Sequence, residues 1–458
     1  MSIARQKSGP AGRGLRSRLA VGALALTLAG GLATAAATQS TAATAHKASV
    51  VHLTWWTMWS GSSLTAVNKI VAAWNKSHPG IQVSETSIPS VQTTSTAQLL
   101  SAIAAGDPPS LFTEWWPEIG SFAADGDLTS LNQFLTGPYK GFEKFLYPVA
   151  VQGGSYKGKL VAVPQALNSW ALYYNKTLMA KYGITSPPTT LAALQADQAK
   201  AWVSSNGQLQ QLGFYPDTDG NSFEFYTPFF GDTNCIKSGK YDFESPTACP
   251  GGIAEMNFFQ SYAQYSYSQV MALQTALGTV AGGSTDIWGA GKSMFMLSGP
   301  WEGQVTVPST DPALEGNFGV EAFPGTAQYT GATLGQGNFN IIPKGAAHAK
   351  DAFEFMAWMS GYGSKSQAAA IAKIDTEGGW VPGGPSVTKL PVYKSWIAAN
   401  PWLKGFLPEE TDKYTAAPLL TPTNSQLFTA EDTASANVLQ GTMTPIQALQ
   451  YIDQQGNS

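Results

Sequence analysis

Residues 50–86 read VVHLTWWTMWSGSSLTAVNKIVAAWNKSHPGIQVSET, and this stretch decides the fold. Val50–Thr57 is a β-branched and aromatic run closed by Ser60-Gly61, which predicts a strand. Leu64–Lys76 then carries Leu64, Val67, Ile70, Val71 and Trp74 at helical spacing until His78-Pro79-Gly80 stops it. Ile81–Thr86 is a second strand. Downstream, Ala97–Ala105 is a second helix closed by Gly106-Asp107-Pro108-Pro109, and Ser110–Thr113 starts a third strand. Strand, helix, strand, helix and strand within about 65 residues predict a parallel sheet in an α/β lobe.

Upstream of this unit the composition changes. All four arginines (Arg5, Arg13, Arg16, Arg18) lie in the first eighteen residues, which contain no acid; residues 19–32 are a short apolar core, and A-x-A spacings follow at Ala35-Ala37 and Ala43-Ala45. Residues 1–45 therefore read as a secretory signal peptide and linker. An uncleaved anchor is the rival, although the apolar core is short and diluted by Ala, Gly and Thr for a membrane span. No cysteine stands near it to take a lipid. The protein is expected to be exported to an extracytoplasmic space, a periplasm or cell-wall zone, and not to be a lipoprotein.

Removing residues 1–45 takes away Arg5, Lys7, Arg13, Arg16 and Arg18 and no acid, moving the net charge from −4 to −9. An acidic chain without arginine is a poor partner for nucleic acid, whose binding rests on Lys and Arg neutralising phosphates. Only 12% of residues are charged and 43% are hydrophobic, which fits a globular chain; about 410 remaining residues predict two lobes. The two cysteines, Cys235 and Cys249, are most simply a disulfide in an exported protein, contributing roughly 3 kcal/mol through loop closure. A metal site is the weaker reading, because there is no C-x-x-C pair and the four histidines form no H-E-x-x-H. No cofactor is expected.

Several segments in order, LTWWTMWSG, HPGI, GDPPSLF, YKGKLVAVPQALNSWALYYNKTLMAKYGITSPPTT, GAGKSMFMLSGPW, NFGVEAFPG and AFEFMAWMS, resemble the extracellular solute-binding proteins of family 1, the sugar-binding subunits of ABC importers similar to maltose-binding protein. The resemblance runs from about residue 50 to about 385. It implies a periplasmic-binding-protein-like α/β fold: two α/β lobes joined by crossover hinge segments, with a ligand cleft between them and closure by hinge motion. Crossovers are expected near Leu160–Pro164, Gly337–Pro343 and Trp380–Pro385. One lobe would then comprise residues 50–162 plus 338–380, and the other 163–337 plus 381–458. The implied partners are a carbohydrate ligand and membrane permease subunits, with the protein itself a monomer. Two departures stand out: the family's lipid-attachment cysteine is missing, and Ser110 stands where Asp is common.

Sugar chemistry accounts for the residue types. A pyranose lays its C–H faces on aromatic rings and needs donors and acceptors at its hydroxyl edges. Ligands of open α/β sheets sit beyond the carboxyl ends of strands. The first-rank candidates are thus Trp56, Trp59, Glu114, Trp116, Trp170, Trp301 and Trp380; Asn168, Tyr226, Trp288, Glu302 and Asn338 are second-rank. Trp55 and Trp115 alternate with their neighbours, so one of each adjacent pair should face the lobe interior, and Trp56 and Trp116 are assigned to the ligand. Trp74 and Trp358 sit inside helical periodicity and read as core; Trp202, Trp396 and Trp402 read as packing residues.

Other signals fail on inspection. Ala290-Gly291-Lys292-Ser293 lacks the upstream glycine of a phosphate loop, which is Asp286 here, and Gly335-x-Gly337 is followed by Asn340 where a dinucleotide fingerprint needs glycine. Asp217, Asp219 and Asn221 have calcium-loop spacing, but the twelfth position is Pro228. The competing class is a secreted glycoside hydrolase with Glu114 and Glu302 as its carboxylate pair, which nothing in their sequence surroundings supports. The reading is a binding protein rather than an enzyme.

Overall fold

The computed structural model describes residues 49–88, 92–216, 223–232, 234–277, 287–310, 314–326, 329–407 and 417–458. The signal-peptide reading of residues 1–45 and the calcium-loop spacing at Asp217–Asn221 lie outside them. Two α/β lobes follow from two separate sheets.

The first sheet contains β1 (Val51–Thr57), β2 (Ile81–Ser87), β3 (Leu111–Trp115), β4 (Ala162–Asn168) and, late in the chain, Gln336–Ile341. As expected, β1 runs parallel to both β2 and β3. The helices between them are α1 (Gly61–Ser77) and α2 (Gln92–Ala105), and α3 (Trp116–Asp125) follows β3 directly. α1 buries Ala66, Val67, Ile70 and Trp74, the stripe its spacing predicts. β4 does not end at the expected crossover near 162. It stays in the first sheet through Asn168, carrying Pro164. Proline is tolerated there because β4 is an edge strand and the pairing slips by a residue beside it, so no ladder donor is missed.

The second sheet has β5 (Ala171–Asn175) at its centre, flanked antiparallel by β6 (Phe295–Ser298) and β7 (Phe318–Glu321). The late strand of the first sheet is β8 (Gln336–Ile341), antiparallel to β3 and β4. Helices of the second lobe include α4 (Phe223–Tyr226) and α5 (Gly252–Ser261). The chain then supplies α6 (Ala349–Met359) and α7 (Lys365–Gly378) to the first lobe, where α7 packs on α1. The next helix, α8 (Pro391–Ala399), stays with them: Tyr393 and Leu407 are buried in the core of the first sheet. The expected transfer to the second lobe at residue 381 is therefore too early, because the Tyr393 hydroxyl donates to the Trp380 carbonyl at 2.9 Å and holds this segment in place. Finally α9 (Asn424–Leu439) and α10 (Pro445–Gly456) pack on each other and on α5, and α9 also touches α3.

The Cys235–Cys249 disulfide is formed. Among the described residues no helix is long and apolar enough to cross a membrane.

Candidate functional site

The strand order brings a set of side chains to one edge of the first sheet. β1 ends just before Met58 and Trp59, and β3 ends in Glu114 and Trp115. β8 runs the other way, so its first residues arrive at the same edge: Asn338 pairs with Trp115, and Gln336 pairs with Asn168 at the end of β4. Asn338 Nδ2 lies 2.9 Å from Met58 Sδ. Trp59 is half-buried, meets Trp380 with ring centroids 5.2 Å apart, and keeps a buried Nε1 with no partner. The chain beside Trp380 is tied to this edge by the Leu167–Val381 bridge.

Two residues after Asn168 the chain enters the second lobe at Trp170, whose backbone N–H donates to Thr333 Oγ1 at 2.7 Å. Trp170 meets Trp301 edge-to-face at 5.8 Å and lies against Phe225 at 4.5 Å. Trp301 follows β6 through Gly299-Pro300. Its indole folds back over Gly299, where any Cβ would collide with the ring, and the Gly299 carbonyl accepts from the Tyr173 hydroxyl at 2.9 Å. Trp301 is left half-buried. Glu302, directly after it, is buried, and its charge helps burial to raise the Tyr173 phenol well above its ordinary value.

Glu114 is buried at the end of the central strand. Its Oε1 accepts the Trp115 backbone N–H at 2.8 Å, and its Oε2 has no partner. Burial, reinforced by the Glu118 charge and only partly offset by the backbone bond, pushes its carboxyl up to about 8. At neutral pH it is mostly a protonated acid, able to donate a hydrogen bond as well as accept one.

The structure corrects four of the expected site residues. Trp288 is fully buried in a core where Tyr173 lies 5.3 Å away and Phe318 5.8 Å away. Tyr226 is also core: its hydroxyl donates to the Pro216 carbonyl at 2.7 Å, and Phe259 meets its ring at 5.2 Å. Both lack an exposed face for a ligand. In the Trp115/Trp116 pair the half-exposed member is Trp115, edge-on to Phe428 of α9, while Trp116 is buried with Phe112 and Ile119. Strand alternation stops at Trp115 because α3 starts at Trp116, so the period-2 reading carries over a boundary where it no longer holds. Trp56 does point away from fully buried Trp55, but onto Phe112 on the opposite sheet face, at 6.4 Å. The candidates gathered at the strand ends are thus Trp59, Glu114, Asn168, Asn338 and Trp380 on the first lobe and Trp170, Trp301 and Glu302 on the second; of these Trp59, Asn168 and Trp301 are half-buried and the rest, Trp380 and Trp170 included, are buried. Sequence reasoning missed Met58, Trp115 and Gln336. The first two sit beside chosen tryptophans, and Gln336 has no local signal because only the β8–β4 register places it there.

Comparison with known proteins agrees with this geometry. The sequence profile described as bacterial extracellular solute-binding protein matches residues 60–365. Among curated relatives, an ABC transporter-binding protein of Deinococcus radiodurans is 27% identical over 229 residues, 46% of this chain and 50% of its own length. The glucose-binding protein GlcS of Saccharolobus solfataricus is 28% identical over 307 residues, 61% of this chain and 52% of its own. The chain thus spans about half the length of these relatives. Among solved structures, CpMnBP1 with mannotriose bound superposes with a TM-score of 0.74 at 24% identity, covering 89% of this chain and all of that one. The GacH receptor of Streptomyces glaucescens gives 0.68 at 19% identity, covering 88% and 97%. With two thirds of its length under one family profile, and with the two-lobed fold of these solved receptors, the chain belongs to the bacterial extracellular solute-binding protein family.

Proposed function

We propose that this protein is the extracytoplasmic solute-binding component of an ABC importer, capturing a neutral sugar or oligosaccharide by hinge closure and delivering it to membrane permease subunits. The observation that carries the reading is the pairing of indoles on both sides of the β4–β5 crossover: Trp59 with Trp380, and Trp170 with Trp301. At the same strand ends lie the neutral amides of Asn168 and Asn338 and the mostly protonated Glu114. Indole faces suit the C–H faces of a pyranose, and amides suit its hydroxyls. Residues 49–458 contain no arginine, so the site offers no bidentate clamp for a phosphate or carboxylate ligand. The ligands named for GlcS and CpMnBP1, glucose and mannotriose, are sugars, which supports the same class here. The reading is of a non-catalytic, exported, monomeric protein with residues 1–45 as its address. Docking on one lobe and closure of the other would exclude water and strengthen the polar contacts, and the change of shape is what a permease can sense.

A thermal-shift screen of residues 46–458 against a panel of neutral mono- and oligosaccharides tests this, since a tight ligand raises the midpoint by mass action. At least one saccharide should shift the midpoint without being turned over, and sugar phosphates should not. Trp59→Ala or Trp301→Ala should weaken that binding about tenfold or more, roughly 1.4 kcal/mol. Hydrolysis of the bound saccharide, or tighter binding of a sugar phosphate, would sink the reading.

A further inference from the structure

Besides Glu302, the second lobe buries four acidic side chains with no basic partner among the described residues: Glu224 on α4, Glu431 on α9, Glu255 on α5, and Asp232 just beyond Phe230. The ion pairs among the described residues lie elsewhere, on Lys69, Lys200, Lys350 and His348. Glu224 and Glu431 line the same small cavity, where two carboxyls can hydrogen-bond to each other only if one of them carries a proton. Glu224 Oε1 also accepts from Gln336 Nε2 at 3.2 Å, and Gln336 lies on β8, in the first sheet. Glu224 Oε2 and Gln336 Oε1 are buried without a protein partner, and so is Nε1 of Trp116 at the start of α3. Trp116, Glu224, Thr227, Tyr241, Asn424 and Glu431 line a cavity of about 40 Å³, room for one or two waters that could serve these atoms.

The surroundings hold no compensating charge. On α9 itself Asp432 follows Glu431; from α5 comes Glu255, with Asp232 behind it. Tyr241 faces the pair with its hydroxyl on Thr421 Oγ1 at 2.6 Å. On α10 Asp453 accepts the Phe243 and Glu244 backbone N–H groups, and on α3 Glu118 accepts from Ser425. Every titratable group on these helices is acidic or phenolic; Lys237 and Lys240, in the hairpin that carries Tyr241, are exposed. Burial is the leading cause that holds Glu224 and Glu255 well above the usual carboxyl range, raises Glu431 to about 8 and raises Asp232 to about 6.

We propose that Glu224, Glu431 and the cavity beside them form a proton-binding site that ties β8 and the start of α3 to the second lobe only while a proton is held between the two carboxyls. When that proton leaves, two buried charges in contact repel one another, and Gln336 loses its neutral partner. The junction between the lobes then loosens at the crossover itself. The folded pair keeps a proton that an unfolded glutamate gives up near 4.5. Its contribution to stability is complete below that pH and is lost as the pH climbs toward 8. The site works in acid and relaxes in base.

The test is denaturant unfolding of residues 46–458 between pH 5 and 8, with proton release counted, for wild type, Glu224→Gln and Glu431→Gln. A glutamine at either place can still donate to the remaining carboxyl but cannot ionise. Wild type should release about one proton more than either variant on unfolding near pH 6.5, and should lose more stability than they do between pH 5 and 8. Equal proton counts and parallel pH profiles would overturn the proposal. So would restoration of wild-type stability at pH 8 by millimolar calcium, which would make the pair a cation site. If neither variant folds, infrared spectroscopy of the wild type decides: a protonated-carboxyl carbonyl band persisting to pH 7 supports the site, and its absence overturns it.

Discussion

Two buried polar clusters, one in each lobe, are built in opposite ways. In the first, Trp55 Nε1 donates to Thr113 Oγ1 at 2.8 Å, Thr113 donates to Asn340 Oδ1 at 2.7 Å, and Asn340 Nδ2 donates to Gln165 Oε1 at 2.9 Å. This relay stitches β1, β3, β8 and β4 together with neutral groups. The cluster around Glu224 in the second lobe is built of acids instead: Glu224 and Glu255 each keep a carboxyl oxygen without a partner, as Glu114 and Asp375 do in the first lobe. A neutral relay is indifferent to pH, whereas a set of carboxyls raised by burial is stable only while protonated. The relay therefore supplies a fixed edge, whereas the Glu224 cluster, like Glu114 and Asp375 of the first lobe, depends on its surroundings.

Three substitutions probe that contrast. The largest effect should come from Trp288→Ala, which empties a fully buried site in the second lobe and should cost about 3–5 kcal/mol in urea unfolding. A loss below about 1 kcal/mol would return Trp288 to the list of exposed candidates. Asn340→Ala cuts the first-lobe relay and strands Thr113 and Gln165; a cost of roughly 1–3 kcal/mol is expected, equal at pH 5 and pH 8. A pH-dependent cost would erase the distinction between the two clusters. Glu114→Gln should have the smallest effect at pH 5. Because the folded carboxyl sits at about 8 and the unfolded one near 4.5, wild type loses stability as pH rises between those values; the variant should be more stable than wild type by roughly 3–4 kcal/mol at pH 8 and by less than about 1 kcal/mol at pH 5. The same measurement with a greater loss at pH 8 than at pH 5 would mean that Glu114 functions as an ionised acceptor.

Much of the first lobe was legible because its cues are local. The alternation of Val50–Thr57, the helical stripe through Trp74 and the stop at His78-Pro79-Gly80 each need only a few neighbours, and Trp74 and Trp358 are buried as their helical spacing required. The disulfide was legible from cysteine usage alone. The second lobe was harder to read. Tyr226 and Trp288 looked like ligand aromatics because nothing within ten residues shows that Phe259 and Tyr173 will enclose them. Trp116 was assigned to the ligand because the strand pattern gave no sign that a helix begins directly after Trp115, and the crossover that the resemblance put near Leu160–Pro164 comes later because an edge strand with slipped pairing carries Pro164. Glu224 and Glu431 lie 207 positions apart, and only the packing of α4 on α9 brings them together.

The bond between Cys235 and Cys249 has one further consequence. The stretch it closes presents Tyr241 and Phe243 to the cavity wall, and Gly251 just past it donates its backbone N–H to Asp232 at 2.7 Å. A chain retained in a reducing cytoplasm would lack that clasp, so the wall beside the glutamate pair would be set in its final form only after oxidation. For a chain exported as proposed, leaving the cell and completing the wall beside the glutamate pair would be the same event.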